Sequence, residues 1–568
     1  MTNNSTLLEE KSPKVLRGVF GFERVCQLLV LLLGARCAYV GRNLPVGADG
    51  LAYLDVARSY VGHDWQTALN GYWGPLYAWL LAIVMRMFQS GIHSEFALAR
   101  ALNFALFAAA LYAFSRFWRS LAAWSARSRA DDNPIPVASP IVWTMFGYLL
   151  FLLNFIWSVD VVNPDILVAT MVFAVASLLL RLSDHSPPVR HSAGAYAWLG
   201  VLLAVGYYAK AIMLYFAVFV LGAMVIRAFR ARRLAEPLIA ILVFSVLVSP
   251  VVIITSRTLG HFTLGDSGRL NYAWFVDGPE TKTWETNSPA SAPVPFYPGP
   301  IVFDSPRVFR VPLIGGVTYA PWYDASRFDK RSHPFFNLHD QLRQLAVNLR
   351  YSRETLLGQG AALTVPLLIL VWYEPKASLR RFAATWFFTL PALAVFGMYL
   401  LVHLVERFVL GFSLLLWGAV WASVYVPPGF QLLARRAIVA AMIVMAAYGM
   451  PGLLHYVLSQ RIDSVRSDMV IAEALPGYGL TPGDPVASIG DGQEAYWAHF
   501  DKLSVVAEIW TIDAAQFWAA QPATQQAALR SMADSGAKAA VWRADTDRPC
   551  PPGWQSFPGT SGCIISLH

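Results

Sequence analysis

The sequence predicts a polytopic α-helical membrane protein with a small α/β domain at its C-terminal end. Of its 568 residues, 56% are hydrophobic and only 14% are charged, and the mean hydropathy is +0.46. A soluble protein would have about 25% charged residues. The basic residues behind the net charge of +8 lie in short clusters between apolar runs. Because such clusters set membrane topology, the charge does not indicate a nucleic-acid partner.

Residues 1–21 are predicted to form a cytoplasmic N-terminal tail. The apolar run that follows has no small-residue cleavage site. A secretory signal peptide would contain such a site. The first apolar run is therefore predicted to be a retained membrane helix, and its Cys26 and Cys37 are interpreted as inert thiols.

About eleven apolar runs are long enough to cross a bilayer, because each spanning helix needs about 20 residues. A further apolar stretch, residues 73–88, is shorter and contains Pro75 and Arg86. Counting it as a span would reverse the orientation of every later segment. The predicted spans lie near 22–41, 95–117, 139–157, 164–182, 195–209, 211–228, 236–255, 357–373, 382–402, 405–425 and 436–456.

Four basic clusters indicate the orientation, because Lys and Arg accumulate in cytoplasmic loops. All four lie on that side only if residues 73–88 form a helix at the outer interface. The clusters are Arg116, Arg119, Arg127 and Arg129; Arg227, Arg230, Arg232 and Arg233; Lys376, Arg380 and Arg381; and Arg435 and Arg436. The sequence thus predicts a multi-pass membrane protein whose N-terminus is cytoplasmic. Its predicted parts are a transmembrane domain at 22–456 with outer loops at 42–94 and 256–356, and a periplasmic or extracellular domain at 457–568.

The tail, residues 457–568, has an α/β pattern. The segments DPVASIG and LSVVAEI each predict a strand, and TQQAALRSMADSGAKAAVW predicts a helix, a glycine turn and a strand. Cys550 and Cys563 lie 13 residues apart in this tail. In an oxidising compartment such a pair favours a disulfide. The segment IGDGQEAYWAHF lacks a full-length Gly-rich phosphate motif, so the tail is interpreted as a binding or packing module.

Ionisable residues at the outer ends of the predicted spans are the candidate site residues, because burying a charge at membrane depth is costly. Asp49 follows the first span, and Asp165 opens a helix after Asn163 and Pro164. Helix capping is the alternative role for both aspartates. Asp160 precedes Asp165 at the same outer end.

Two cations lie on the same predicted face. Lys210 interrupts a long apolar run at its outer turn, where a lone lysine can instead snorkel to the interface. Arg407 begins a later span beside His403 and Glu406, and an ion pair within this segment is the alternative. A carboxylate can accept a proton as a general base, and cations can bind a phosphate leaving group. The two aspartates and two cations together predict transfer from a lipid phosphate to an outward-facing acceptor.

The long outer loop contains a further candidate site. Its first segment, GHFTLGDSGRLNYAWF, places Asp266 and Arg269 near Tyr272 and Trp274. Aromatic rings stack on sugar rings, so this segment is a candidate acceptor or sugar site, and a local ion pair in an ordinary loop is the alternative. The middle of the loop, residues 288–305, is rich in Pro and Gly.

In their order and shared face, these motifs resemble those of the GT-C superfamily of polyprenyl-phosphate-dependent glycosyltransferases. The resemblance covers residues 20–425 and is to the branch that contains protein O-mannosyltransferases and the lipid A aminoarabinose transferase. ADGLAYLDVARSY matches the helix after the first span and implies that Asp49 is the catalytic base. VNPDILVATMVF matches a second acidic motif through Asp165. AVGYYAKAIM and ERFVLGFSLLL match donor-phosphate motifs through Lys210 and Arg407.

The segment GYWGPLYAWLLAIVMRMF resembles the Pro-rich interfacial helix of the family. Relatives have Glu-Lys-Pro-Pro where this chain has Tyr-Trp-Gly-Pro at 72–75, and Ala-Ile at 211–212 replaces a Gly-Pro. Family members differ in metal use and the sequence has no His/Cys cluster, so no cofactor is assigned and a divalent metal is left open. The candidate acceptor- or sugar-binding residues are Tyr72, Trp73, Asp160, Asp266, Arg269 and His403.

The resemblance implies an inverting glycosyltransferase of the bacterial inner membrane. Its partners would be a polyprenyl-phosphate sugar donor, a lipid, glycan or protein acceptor, and the membrane itself. The alternative is an envelope-glycan transporter, flippase or polymerase that transfers no sugar from a lipid phosphate. Carriers usually show internal repeats, and we find none in this sequence. A non-catalytic assembly factor that retains the fold is a third class.

Overall fold

The computed structural model describes residues 13–567 except 128–139, 184–192, 278–299, 329–332, 359, 428, 460–464, 491 and 544–548. Three features of the sequence analysis lie outside the described residues. They are the first twelve residues of the N-terminal tail, Arg129 of the first basic cluster, and residues 288–299 of the Pro- and Gly-rich segment.

The first four-fifths of the chain are mostly helical, as their long apolar runs predict. Each predicted span lies largely within one helix. A short 3₁₀ helix, Ile156–Val159, follows the sixth helix. The helices are α1 (Pro13–Val40), α2 (Gly47–Val61), α3 (Trp65–Ala68), α4 (Pro75–Phe88), α5 (Glu95–Arg127), α6 (Pro140–Phe155), α7 (Asp165–Leu182), α8 (Ala193–Ala209), α9 (Ile212–Arg230), α10 (Ala235–Leu259), α11 (Ser267–Phe275), α12 (Ala320–Tyr323), α13 (Ala325–Phe328), α14 (Leu338–Gly358), α15 (Gly360–Tyr373), α16 (Pro375–Ala383), α17 (Trp386–Leu401), α18 (Glu406–Ser423) and α19 (Gln431–Leu458).

Six helices among the described residues are long and apolar enough to cross a membrane. They are α5, α6 with its 3₁₀ extension, α7, α9, α10 and α19. A pair of helices bent by 84°, α16 and α17, would count as a seventh span. Three further apolar helices, α4, α8 and residues 362–373 of α15, are shorter. The structure therefore supports a multi-pass membrane protein, and the count of eleven spans remains a prediction.

Arginines gather at one end of the helical bundle. The helices α7, α9 and α18 all begin at the wall of one cavity. Arg181 lies in the last turn of α7, and Arg227 and Arg230 lie in the last turn of α9. Arg381 donates a 2.9 Å hydrogen bond to the carbonyl of Val424, just past the end of α18. These arginines thus lie away from the cavity, as the positive-inside rule would require of a cytoplasmic end, and the orientation in a membrane remains a prediction.

The short apolar helix α4 lies against α2. Its 14 residues measure about 21 Å, less than the ~30 Å hydrocarbon core of a bilayer. A Cβ atom at Gly74, where α4 begins, would lie 2.5 Å from the carbonyl oxygen of Ala209, so only glycine permits this approach to the end of α8. Tyr53 of α2 and Tyr77 of α4 pack edge to face at 5.2 Å. After α4 the chain returns to α2, where Glu95 pairs with an arginine of that helix, and this path fits a helix that does not cross.

The remaining elements build a seven-stranded sheet with the order β1-β2-β4-β3-β5-β7-β6. Strand β3 pairs in parallel with β4 and β5, and the other pairs are antiparallel. The strands are β1 (Ile301–Asp304), β2 (Arg307–Arg310), β3 (Pro485–Ile489), β4 (Ser504–Ile509), β5 (Ala539–Arg543), β6 (Gln555–Ser556) and β7 (Gly562–Ser566). The helices of this region are α20 (Arg466–Ala474), α21 (Tyr496–Phe500), α22 (Thr511–Ala519) and α23 (Pro522–Asp534), with 3₁₀ helices at Leu475–Tyr478 and Gly492–Glu494.

The sheet joins two segments that are distant in the sequence. Strands β1 and β2 come from the long outer loop, and the other five come from the tail. The sheet therefore contains residues on both sides of the boundary predicted near residue 457. Strand β4 is buried along its whole length, which is expected for a central strand covered on both faces. Cys550 and Cys563 form a disulfide that ties the segment after β5 to β7.

Candidate active site

Several helices meet around a cavity of about 570 Å³. Sites for small molecules occupy about 300–1,000 Å³, so this volume suits a ligand. The N-terminal ends of α2, α4, α7, α9 and α18 form its wall together with α11 of the long outer loop. Its polar and charged lining residues include Asp49, Tyr53, Tyr72, Asn163, Asp165, Lys210, Tyr215, Asn271, Tyr272, Tyr399, His403 and Arg407.

Asp49 lies in the first turn of α2. The N-cap residue of this helix is Val46, and no side chain caps it. The Asp49 carboxylate instead accepts a 2.6 Å hydrogen bond from Nη2 of Arg407. A carboxylate in the first turn is also favoured by the helix dipole. The capping alternative is therefore wrong, and Asp49 is a cavity residue paired with a cation from a distant part of the chain.

Asp165 is the first residue of α7. Its backbone N–H donates a 3.0 Å hydrogen bond to Oδ1 of Asn163, which fixes the turn into the helix. Its carboxylate accepts a 2.7 Å hydrogen bond from Nζ of Lys210. The second carboxylate oxygen lies 3.6 Å from Nε of Arg407. Asp165 therefore holds both candidate cations, and its carboxylate does not cap α7.

The two cations point into the cavity. Lys210 lies in the short break between α8 and α9, and its Nζ is 3.6 Å from the ring centroid of Phe408. This cation–π contact and the hydrogen bond to Asp165 hold the Lys210 ammonium in the cavity, so the side chain does not extend to the interface as the snorkelling alternative requires. Arg407 lies in the first turn of α18, and among the described residues its ion pairs are with the two aspartates, not with Glu406. A single guanidinium thus bridges both candidate carboxylates.

We call Asp49, Asp165, Lys210 and Arg407 the cavity quartet. Its two carboxylates and two cations give no net charge. The exposed fractions of the side chains are 26% for Asp49, 25% for Lys210 and 32% for Arg407, whereas Asp165 is buried at 6%. The cations are therefore neutralised by aspartates and yet remain open to a ligand in the cavity.

Aromatic rings form one side of the cavity. We call Tyr72, Trp73, Trp274 and Trp322 the aromatic wall. The ring centroids of Tyr72 and Trp274 are 5.5 Å apart, and those of Trp274 and Trp322 are 6.0 Å apart with planes inclined by 27°. Trp73 packs edge to face on Trp322 at 5.8 Å and donates a 3.1 Å hydrogen bond from Nε1 to the Trp322 carbonyl. The wall thus combines the first and the long outer loops.

The loop before α4 is held by its own side chains. Oδ1 of Asn70 accepts hydrogen bonds from the N–H groups of Tyr72 (2.9 Å) and Trp73 (2.8 Å).

Burial, reinforced by the Asp49 carboxylate, raises the pKa of the Tyr72 phenol above its ordinary value. Tyr72 therefore stays protonated, so it can donate a hydrogen bond but is not a base.

The other predicted site residues are divided between the cavity and its surroundings. His403 lines the cavity and stacks face to face on Phe275 at 3.7 Å. Asp160 lies outside the lining residues and accepts a hydrogen bond from the Tyr456 hydroxyl. Asp266 and Arg269 also lie outside them. Asp266 pairs with Arg269 at 3.4 Å, which is the local ion pair that was the alternative reading of this segment.

Sequence reasoning missed several lining residues. Tyr53 lies one turn after Asp49 on α2, a spacing that could have suggested it. Asn271 carried a weaker signal as the residue before Tyr272 in the outer-loop segment, and its Nδ2 lies 3.3 Å from the Tyr72 hydroxyl. Trp322 and Tyr399 had no local signal, because only the packing of distant loops and helices brings them to the cavity.

The described residues contain no group of three or more His, Cys, Asp and Glu side chains arranged to hold a metal ion. The two carboxylates of the cavity are both paired with cations. We therefore assign no residue of this cavity to a metal.

The chain matches no protein-family model and no curated protein. It is similar to the structure of ArnT from Cupriavidus metallidurans bound to undecaprenyl phosphate, at 13% identity and a TM-score of 0.43, over 96% of this chain and 98% of that chain. It is also similar to the Archaeoglobus fulgidus oligosaccharyltransferase in the apo form, at 12% identity and a TM-score of 0.49, over 91% and 69% of the two chains. A third structure, AglB from Archaeoglobus fulgidus with an inhibitory peptide and a dolichol-phosphate, gives 11% identity and a TM-score of 0.43, over 92% and 69%.

ArnT is an aminoarabinose transferase, and both ArnT and AglB have the GT-C fold. At these identities and TM-scores the similarities do not decide which reaction this chain carries out. The chemistry has to be argued from its own residues.

Proposed function

We propose that this protein is a membrane glycosyltransferase that moves a sugar from a polyprenyl-phosphate donor to an acceptor at the outer face of the bacterial inner membrane. The observation that carries the proposal is the cavity quartet, in which Arg407 lies 2.6 Å from Asp49 and 3.6 Å from Asp165. Two cations beside two carboxylates suit a reaction in which a phosphate leaves and a proton is removed.

The reaction is an inverting displacement at the anomeric carbon. The acceptor hydroxyl or amine attacks C1 of the sugar from the side opposite the phosphate. A bond forms between the acceptor and C1, the C1–O bond to the phosphate breaks, and its electron pair leaves with the lipid phosphate. Asp49 takes the proton from the acceptor, and Asp165 orients the acceptor or holds the cations.

Lys210 and Arg407 bind the phosphate and stabilise the charge that it gains as it leaves. Cations paired with a phosphate form charge-assisted hydrogen bonds, and a guanidinium can form two at once. In the structure, Nη2 of Arg407 donates a hydrogen bond to the Asp49 carboxylate. A phosphate that draws Arg407 toward itself would loosen this bond and leave the Asp49 carboxylate free to accept a proton. Donor binding thereby prepares the base.

The aromatic wall fits the sugar. Aromatic side chains offer flat apolar faces with polar edges, and such faces suit the C–H surfaces of a pyranose ring. Trp274 and Trp322 lie nearly parallel and both line the cavity, with the Tyr72 ring 5.5 Å from Trp274. We therefore place the sugar against this wall, with its C1 toward the cavity quartet.

A transporter, flippase or polymerase is the second candidate, and it predicts no release of sugar from a lipid phosphate. The test is incubation of the purified full-length protein with a radiolabelled polyprenyl-phosphate sugar and a panel of membrane-extracted acceptors. We expect label to leave the lipid and appear on an acceptor in the wild type and not in Asp49→Asn. Label that stays on the lipid with every acceptor of the panel would contradict the proposal.

A further inference from the structure

A second group of charges is buried where α21 of the tail meets α2 and α5. We call Asp55, Arg58, Glu95 and His499 the clamp quartet. The exposed fraction of the side chain is 0% for His499, 2% for Asp55 and 2% for Glu95, and 17% for Arg58. The proposed reaction uses none of these residues, and none of them lines the cavity.

The imidazole of His499 lies between two carboxylates. Its Nδ1 is 2.8 Å from Oδ1 of Asp55, and its Nε2 is 3.2 Å from Oε2 of Glu95. The guanidinium of Arg58 donates a 2.9 Å hydrogen bond from Nε to Oε1 of Glu95 and another from Nη1 to the backbone carbonyl of His499. Residues from three elements therefore form one closed network.

The charges of this network balance only when His499 is protonated. Two carboxylates and one guanidinium would otherwise leave an unpaired negative charge in a buried place, which is costly. Nδ1 of His499 also lies 3.2 Å from Oγ1 of Thr318. Both ring nitrogens face carboxylate oxygens, and an imidazolium, which has an N–H on each nitrogen, can donate to both. Burial and Arg58 lower the pKa of His499, but the carboxylates of Glu95 and Asp55 outweigh them and raise it.

The same short helix also contacts the start of α2. The hydroxyl of Tyr496 accepts a 3.1 Å hydrogen bond from the N–H of Gly47, two residues before Asp49. Gly47 has a φ of +71°, a left-handed backbone conformation that favours glycine. The start of α2 therefore depends on a glycine at this position. Thus α21 holds α2 at its first residue and again through Asp55 and Arg58 near its other end.

The long outer loop is tied to the same place. The N–H of Thr318 donates a 2.8 Å hydrogen bond to Oδ2 of Asp55, and its carbonyl accepts a 2.9 Å hydrogen bond from the N–H of Val505 in β4. Trp322 of the aromatic wall follows four residues later. The buried network therefore connects the tail sheet to both the helix of Asp49 and one ring of the wall.

We propose that α21 is a clamp that sets the position of Asp49, with Tyr496 and His499 as positioning residues for the transfer reaction. The role assigned to Asp49 rests on the proposed function, but the clamp itself can be tested without it. Asp49 and Asp55 lie about 9 Å apart along α2, so a tilt of this helix moves the base directly. Displacing a catalytic group by about 1 Å can cost about 100-fold in rate.

The test compares His499→Gln and Tyr496→Phe with two matched controls in the purified full-length protein. His93→Gln removes a histidine whose contact with Glu473 also joins the two regions but is exposed. Tyr478→Phe removes a hydroxyl whose hydrogen bond, among the described residues, is to the Ser556 carbonyl within the tail. Hydrogen–deuterium exchange of peptides covering 46–61 is measured in each variant, together with kcat and KM for the donor.

We expect faster exchange in 46–61 for both clamp variants, unchanged exchange in α23, and no change in either control. We expect kcat to fall by about 10- to 100-fold in His499→Gln, with KM for the donor nearly unchanged, because the base is displaced while the phosphate site is kept. The double variant Asp55→Asn with His499→Gln restores charge balance and should regain most of the lost kcat.

Unchanged exchange in 46–61 in both clamp variants would overturn the clamp, whatever the enzyme activity. If exchange in 46–61 is faster but kcat is unchanged, Tyr496 and His499 stabilise the structure only, and the proposal that they position Asp49 for the reaction is wrong. Tyr496→Phe removes one oxygen atom only, so the test stands even if His499→Gln does not fold. Full activity of Asp49→Asn would instead contradict the proposed function and leave the exchange result to decide on the clamp.

Discussion

The cavity quartet and the clamp quartet contain the same number of positive and negative charges but differ in how exposed their side chains are. Each has two carboxylates and two cations, and α2 contributes to both. In the cavity quartet, Asp49 and Arg407 are 26% and 32% exposed. In the clamp quartet, Asp55 and His499 are 2% and 0% exposed. Net charge and pairing therefore do not distinguish a reaction site from a structural network, and access to a ligand does.

Access matters because an ion pair that a ligand can reach can exchange its partners. Asp49 and Arg407 are partly exposed to the cavity, so a phosphate can reach Arg407 and replace the Asp49 carboxylate as its partner. A buried pair that loses one partner leaves a charge without compensation, and this costs about 3–5 kcal/mol. Helix α2 thus carries Asp49, whose ion pair can be broken by a ligand, near its start. Nearer its other end it carries Asp55 and Arg58, whose buried ion pairs are costly to break.

The largest expected effect is that of Asp49→Asn on activity. Loss of a general base costs about 100- to 10,000-fold in rate, and we expect kcat for sugar transfer to fall within this range. Stability should change little, because Arg407 still contacts Asp165. Initial rates of label transfer at saturating donor measure the effect. The matched control is Asp534→Asn at an exposed position in the last turn of α23, and this variant should transfer sugar at the wild-type rate. If Asp49→Asn also transferred sugar at that rate, the cavity quartet would not be the reaction site.

Glu95→Gln should show the opposite pattern, a loss of stability. It removes one of the two carboxylates that hold Arg58 and His499, so we expect a loss of about 3 kcal/mol in the free energy of unfolding. Thermal unfolding in detergent followed by tryptophan fluorescence measures it. Glu473→Gln, which affects only an exposed pair, should cost less than about 1 kcal/mol. Equal stabilities of the two variants would mean that the clamp quartet is not buried as described.

Arg407→Gln should weaken donor binding. Hydrogen bonds to charged groups contribute about 1.5–3 kcal/mol, so we expect KM for the polyprenyl-phosphate sugar to rise by about 10- to 100-fold. Steady-state kinetics with the radiolabelled donor measure this change. Arg269→Gln, outside the cavity lining, should leave KM as it is. If both variants bind the donor equally well, Arg407 is not a phosphate ligand.

The smallest expected effect is the pH dependence of the clamp. The pKa of His499 is raised in the folded protein, so its contribution to stability is fully present below the unfolded pKa of about 6.5 and is lost as the pH rises through the folded pKa. As the pH rises from about 6.5 through the folded pKa of His499, we expect the Tm of the wild type to fall by a few degrees relative to the Tm of His499→Gln. Parallel Tm curves for the two proteins would show that His499 does not change its charge there.

Much of the fold follows from patterns that are local in the sequence. Long apolar runs predict helices, and each predicted span lies largely within one helix. The segment at 73–88 contains a helix of 14 residues with a proline at its start, and that this helix does not cross the membrane remains a prediction. The sheet was predicted only in part. Strands β1 and β2 of the long outer loop are four residues each, and their pairing with β4 depends on contacts about 200 residues away in the sequence.

The candidate site was predicted in the same uneven way. Asp49, Asp165, Lys210 and Arg407 were each found because a charge beside an apolar run is conspicuous. For Asp160, Asp266 and Arg269, the same sequence signal gave residues that lie outside the cavity lining. A charge near a helix end has several uses, and the residues around it in space decide which one applies.

The sequence by itself determined that the chain is helical and suited to a membrane, and which charged residues stand at the ends of its apolar runs. Both are local properties, since they depend on side-chain transfer into lipid and on helix periodicity. Only the tertiary structure decided that Arg407 bridges two aspartates and that His499 lies between Asp55 and Glu95. Those contacts join residues more than 200 positions apart, and Arg58 and Thr318 complete the network around His499. Their partners are set by the packing of whole elements, which no local pattern records.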